Sequence, residues 1–209
     1  MVKKKLIFIA ATTLIVIAVF VGVYLSQQQS NINPPALGNT KFKVGDYANY
    51  TVKTYENEVV TATYPVAWKV VNDNLNGTDC LVLEIQTDMA NKNSTTTSIV
   101  YWYMDKDTYD GLFTKTETYV DGVFVSKIES EFSGPPAFVD PQTIVAQEKI
   151  TVPAGTFDCF KSVVTDYGNT GQTANQWYSS EVPIGNLVKI ETYKGAQLTT
   201  LRELIAYSK

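Results

Sequence analysis

From residue 44 onwards, apolar and polar residues alternate with a period of two. The clearest runs are DCLVLEIQT (79–87), TSIVYWYM (97–104), LFTKTETY (112–119) and VFVSKIESEF (123–132). They are rich in Val, Thr, Tyr and Ile, the composition and period of half-buried antiparallel strands rather than helices. Gly111, Gly122, Gly185 and Gly195 punctuate these runs, and Asp121 before Gly122 adds a tight-turn signal. The pattern predicts an all-β unit, a curved antiparallel sheet of about ten strands. Such a sheet must bury one face, so it curls into a half-barrel, barrel or sandwich. The stretch 133–147 (SGPPAFVDPQTIVAQ) carries three prolines and reads as a link, with room for a short helix.

The opposite pattern opens the chain. After a basic end at residues 1–5 (MVKKK), positions 6–25 (LIFIAATTLIVIAVFVGVYL) contain no charge. Twenty such residues at about 1.5 Å each match a bilayer core of roughly 30 Å. Lys3, Lys4 and Lys5 precede the run, so the positive-inside rule keeps the N-terminus cytoplasmic and exports the remainder. A single-pass signal-anchor in the cytoplasmic membrane is expected; the competing reading is a cleaved signal peptide, which would leave a secreted protein. Residues 26–41 are uncharged up to Lys41 and rich in Gln, Asn and Pro, without amphipathic period, and read as a flexible stalk. An extracytoplasmic domain is then expected over 42–209, long enough for one real core.

The domain repeats itself. WYMDKDTYDGLFTKTETY from Trp102 answers WYSSEVPIGNLVKIETY from Trp177: Trp-Tyr, a gap of seven or six residues, Gly, then Lys, Glu, Thr and Tyr at fixed offsets. Upstream, Gly77-Thr78-Asp79-Cys80 faces Gly155-Thr156-Phe157-Asp158-Cys159, with one inserted residue. The ordered matches predict two tandem copies of a β-meander, about 44–132 and about 140–207. Alternation places Lys115, Glu117, Lys189 and Glu191 outward, as ordinary solvated charges.

Charge and missing residue types narrow the function. The 17 basic side chains include Lys3, Lys4 and Lys5, so beyond them 14 basic face 21 acidic groups, a net of −7. That balance argues against a nucleic-acid partner. The chain has no histidine, which removes Ser-His-Asp and Cys-His nucleophiles and His-ligated metals. No glycine-rich phosphate loop is present. No cofactor and no catalytic residue is expected, although paired carboxylates leave a hydrolase as a remote alternative.

Several residues are candidates for other roles. Cys80 and Cys159 are the only cysteines and hold matching places in the copies. Either they form a disulfide, stabilising by roughly 4–5 kcal/mol, or both are buried thiols. Asp105, Asp107 and Asp110 gather in one turn as a weak Ca²⁺ candidate, though a plain polar hairpin fits the pattern better. Sequons at Asn49, Asn76 and Asn93 could carry glycans, Asn49 least because it falls within a strand pattern. Trp68, Tyr101, Trp102, Tyr103, Trp177 and Tyr178 are expected mostly in the core, with the outward-facing set lining a ligand groove.

The runs VPAGTFDCFK, WYSSEVPIGNLVKIE and LRELIAYSK resemble a pattern in uncharacterised prokaryotic, in particular archaeal, envelope proteins. The resemblance covers about 60 residues, from Thr151 to Lys209, with a fainter echo in the first copy. It implies a curved antiparallel sheet related in shape to the LolA-like lipoprotein carriers, and it supplies no catalytic residues. The leading expectation is a non-enzymatic surface protein, anchored in the lipid bilayer, that binds an apolar or extended ligand, lipid or peptide. The alternative is a structural subunit of a surface layer or filament, partnered by strand addition to another envelope protein.

Overall fold

The computed structural model describes residues 43–91, 93–134 and 144–209. The signal-anchor and stalk expected at 1–41, and the middle of the 133–147 link, lie outside these residues. Eleven strands and no helix occur among the described residues. They are β1 (Tyr47–Glu56), β2 (Val59–Leu75), β3 (Thr78–Asn91), β4 (Ser94–Asp105), β5 (Gly111–Val120), β6 (Val123–Gly134), β7 (Ile144–Val152), β8 (Gly155–Tyr167), β9 (Gln172–Tyr178), β10 (Leu187–Lys194) and β11 (Gln197–Tyr207). All join one antiparallel sheet in the order β6-β5-β4-β3-β2-β1-β11-β10-β9-β8-β7. The sheet is open: among the described residues β6 and β7 end it and do not pair with each other. The residues of the link from 144 to 147 belong to β7, which confines any helix in the link to the part not described.

Short turns make the meander. Asn76-Gly77 and Asp121-Gly122 each place two successive residues at positive φ, 52° and 90°, then 52° and 77°. This is the type I′ geometry whose twist matches that of the flanking strands. Asn and Asp tolerate the first position and glycine takes the second without steric cost.

The repeated motifs fall on strands of the same rank. The Cys80 and Cys159 motifs open β3 and β8, the Trp-Tyr pairs lie on β4 and β9, and the Lys-x-Glu-Thr-Tyr runs form β5 and β10. Strands β2–β6 and β7–β11 therefore run across the sheet in the same sense, and β1 is the extra strand that joins them between β2 and β11. The copies thus follow one another along the sheet.

The main core lies chiefly on the face of Val52, Ile85 and Ile190, and also takes in Trp177 and Cys159, whose strand positions turn them to the other face. Tyr50, Val52, Trp68, Val70, Leu83, Ile85, Val100 and Met104 meet Tyr178, Val188, Ile190 and Leu204 there. The C-terminal strands roll over this face: the turn after β7 donates from the Ala154 N–H to the Leu204 carbonyl at 3.2 Å, and the Phe157 and Tyr207 rings lie 5.6 Å apart. The segment between β9 and β10 tucks into the same space and buries Val182 and Ile184 completely. It is held by the Tyr50 hydroxyl, which donates to the Leu187 carbonyl at 3.1 Å, and by Asn186 Nδ2, which donates to the Val182 carbonyl at 3.0 Å. A second, smaller cluster lies on the opposite face of the first copy: Cys80, Val82 and Tyr103, with Val71, Leu75, Tyr101 and Phe113 packed on it.

Candidate functional site

The opposite face of β4–β6 carries the most developed arrangement of side chains. On β5 the residues at 115, 117 and 119 share that face, as every second residue of a strand must. Lys115 pairs with Glu117 at 3.2 Å, and the Tyr119 hydroxyl donates to the same carboxylate at 3.0 Å. The Lys115 ammonium lies 4.1 Å from the centre of the Tyr101 ring on the adjacent strand, a cation–π contact. Between these residues, Thr118 points to the other face and is buried.

The second copy builds the same unit on β10. Lys189 pairs with Glu191 at 2.7 Å, the Tyr193 hydroxyl donates to Glu191 at 2.7 Å, and Thr192 is buried. Here the aromatic partner is Trp177, with Lys189 and Lys161 each 5.1 Å from its ring, while its Nε1 donates to Glu148 at 2.6 Å. These lysines and glutamates are not ordinary solvated charges. Side-chain exposure is 22% and 17% for the first pair and 20% for each member of the second. Aromatic rings and the paired neighbours cover them, which alternation alone does not reveal.

Electrostatics follow from this packing. Burial acts to raise the Glu117 carboxyl, but hydrogen bonds from Tyr119, Lys115 and Tyr101 outweigh it and hold the group below the usual carboxylate value. Glu191 is lowered in the same way: burial opposes the shift, and Lys189 and Tyr193 win. Burial, reinforced by the Glu117 and Glu84 carboxylates, pushes the Tyr101 hydroxyl up to about 12.

Beside the first unit lies a cleft of about 620 Å³. Leu75 and Asn76 of the β2–β3 hairpin, Tyr103, Leu112, Phe113, Lys115, and Glu129 and Glu131 of β6 line it. Tyr103 and Phe113 pack edge to face, with ring centres 5.8 Å apart, and form its aromatic wall. The Tyr103 hydroxyl donates to Asp73 at 3.2 Å. Glu129 is paired with Lys127 at 2.9 Å, whereas Glu131 has no ion pair among the described residues.

No protein-family model and no curated protein matches the chain. The reading of the site therefore rests on its own geometry.

The six aromatic candidates do not share one groove. Trp68, Trp177 and Tyr178 are buried in the main core, and Trp102 packs half-buried against it. Tyr101 and Tyr103 belong to the second cluster on the other face, and of the six only Tyr103 lines the cleft. The equivalent Trp-Tyr pairs sit differently because their following loops differ by one residue. Lys115 stands opposite Tyr101, whereas Lys189 stands opposite Trp177. A one-residue slip exchanges the faces of a strand.

The cysteines lie in different clusters. Cys80 joins the small cluster and Cys159 the main core, although register turns both to the face of Lys115 and Lys189. Both are free thiols, and five strands lie between β3 and β8 in the sheet. A disulfide between them is thereby corrected: the copies are stepped along the sheet and do not bring equivalent positions together. Burial pushes the Cys159 thiol up to about 12, and the Asp158, Glu148 and Glu181 carboxylates add to that.

Asp105, Asp107 and Asp110 do not converge on a cation site. One Asp105 oxygen accepts the N–H groups of Asp107 at 2.9 Å and Thr108 at 2.8 Å, which closes the turn and holds the Asp105 carboxyl below its usual value. No cluster of three metal-ligating side chains occurs among the described residues. Of the sequons, Asn76 and Asn93 are exposed at hairpin turns, and Asn49 is half-buried within β1 at the centre of the sheet. Sequence reasoning passed over Leu75, Leu112, Phe113, Glu129 and Glu131 as a group. Their shared face follows from β5–β6 register, which pairs Phe113 with Glu131 and Lys115 with Glu129, and that register depends on two bulges that no motif marks.

Proposed function

We propose that the chain is an exported, membrane-anchored protein whose β domain holds an extended peptide, without catalysing a reaction. The observation that carries this reading is the mixed lining of the 620 Å³ cleft. Leu75, Leu112, Tyr103 and Phe113 offer apolar surface, while Asn76, Lys115, Glu129 and Glu131 offer polar groups. A bare acyl chain would bury Glu131, which has no ion pair among the described residues, and strip water from Lys115 and Glu129, at a cost of several kcal/mol. A peptide in extended form presents apolar and polar side chains alternately and satisfies both kinds of wall. A basic side chain in it would meet Glu131. The uncharged run at 6–25 behind three lysines supports the anchored and exported part of the reading.

Photolabelling of the full chain in lipid nanodiscs tests this. The probes are a diazirine-bearing decapeptide of alternating leucine and lysine, and diazirine-bearing palmitate. Label from the peptide is expected on the tryptic fragments holding Tyr103, Phe113 and Glu131, with loss of at least about half of it in Glu131→Lys. Label from palmitate alone, or peptide label that spreads over the sheet and ignores the substitution, overturns the reading.

A further inference from the structure

The β6 edge has features that a solvent-facing edge normally avoids. Twelve residues long, it hydrogen-bonds only to β5 among the described strands, and its other side pairs with none of them. Val123, Phe124 and Ile128 on it are 67%, 54% and 46% exposed. Natural sheets usually shorten, cover or heavily charge such a strand. Lys127 and Glu129 are its paired charges, and both are more than 40% exposed.

The geometry of the sheet restricts what can dock there. Eleven antiparallel strands give β6 and β7 the same direction. Joining β6 to β7 of another molecule, with the faces kept, would therefore be a parallel pairing. Two copies of β6 about a twofold axis normal to the sheet pair antiparallel, as every other neighbour in this sheet does.

Such an axis must pass through a residue, because residues directly opposite share a face. The sequence 124–132 reads FVSKIESEF, nearly symmetric about Ile128. With the axis at Ile128, Lys127 faces Glu129 of the second copy and Glu129 faces its Lys127. Ile128 meets itself and Ser126 meets Ser130, while the bulge at Val125 ends the match beyond Ser126. Two opposite-charge pairs and an apolar centre thus arise from one strand. The other edge lacks this match: the middle of β7 is Glu148, which an axis there would set against its own copy. Glu148 and Lys149 are moreover engaged by Trp177 and Asp158.

We propose that the protein forms a twofold dimer by antiparallel pairing of β6 with β6 of a second copy, centred on Ile128. The two sheets then continue as one, with their clefts on the same face. Lys127 of the second copy sits beside Glu129 at the rim of each cleft, so the partner helps shape the site.

The test uses the full chain in mild detergent. Under gentle oxidation Ile128→Cys is expected to give a disulfide-linked dimer, and Val145→Cys on β7 is not. By native mass spectrometry, Lys127→Glu and Glu129→Lys should each weaken the dimer at least about tenfold, since each creates like charges at both symmetric contacts. The double variant K127E/E129K restores opposite pairs and should recover the dimer to within about threefold. A wild-type protein that stays monomeric, an Ile128→Cys protein that does not cross-link, or a double variant as weak as the single ones each overturns the proposal.

Discussion

The two copies of the meander use the same connection in opposite ways. Between β9 and β10 the chain packs into the main core, buries Val182 and Ile184, and bonds Asn186 to the Val182 carbonyl. Between β4 and β5 the equivalent chain stays outside as a turn closed by Asp105, and only Tyr109 packs back on the core. The second copy thereby adds this segment to its packed core. The first copy lines its inner face with Thr87, Ser98 and Thr118, directly opposite one another across three strands. Beside these lie Leu83, Ile85 and Val100 of the main core, and the other face of this copy carries the small cluster and the cleft. One loop thus decides which copy is scaffold and which is available for binding.

The sharpest way to break that contrast is to empty the filled side. Ile184→Ala removes a side chain with no exposed surface from the main core, and the expected loss is about 2–5 kcal/mol of stability. Tyr109→Ala, the counterpart on the polar turn, should cost less than half as much because Tyr109 is only partly buried. Urea unfolding monitored by tryptophan fluorescence compares the two. Equal losses would mean that the inserted segment is not what stabilises the second copy.

Next in size is the bond that holds the segment down. Tyr50→Phe keeps the ring against Trp68 but leaves the Leu187 carbonyl without its donor. A loss of about 1–2 kcal/mol is expected, a buried acceptor deprived of its partner. An unchanged unfolding midpoint would show that the carbonyl finds water instead.

How much of this was legible beforehand follows from what alternation encodes. Period two located the strands, and Asp121-Gly122 and Asn76-Gly77 carry their turn geometry in residue type alone. Facing was less accessible. The one-residue difference between Tyr178 and Gly185 changes which side chains meet, and it looks like a trivial gap in the sequence. Of the two readings of the cysteines, the structure has the buried thiols and not the disulfide: a repeat says that two segments fold alike, not how the copies are placed. The burial of Val182 and Ile184 was hidden because SSEVPIGN has the composition of an exposed turn.

The paired charges show where the copies remain alike, and pH tests that likeness. Glu117 and Glu191 both have folded values below the ordinary carboxylate value of 4.5. A carboxylate lowered on folding stabilises above its unfolded value, and that contribution is lost as pH falls through the folded one. Both units should therefore weaken together below about pH 4.5, by about 1 kcal/mol or less each, because both pairs keep some contact with solvent. Glu117→Gln and Glu191→Gln should each flatten the acid limb of stability against pH to a similar degree. If only one does, the two units are chemically unequal despite their shared sequence.

The smallest effect has the opposite sign and belongs to the polar inner face of the first copy. The Ser98 hydroxyl is buried between Thr87 and Thr118 and makes no hydrogen bond among the described residues. Burying a hydroxyl without a partner costs free energy that the smaller, apolar Ala would not incur. Ser98→Ala is therefore expected to raise stability slightly, by about 0.5–1 kcal/mol, although most core substitutions lower it. An increase in the urea midpoint with an unchanged denaturant slope would identify relief at this site. A decrease would mean that the hydroxyl row is bonded in solution through water, and that the first copy's inner face is a hydrated polar seam instead of a weakly packed core.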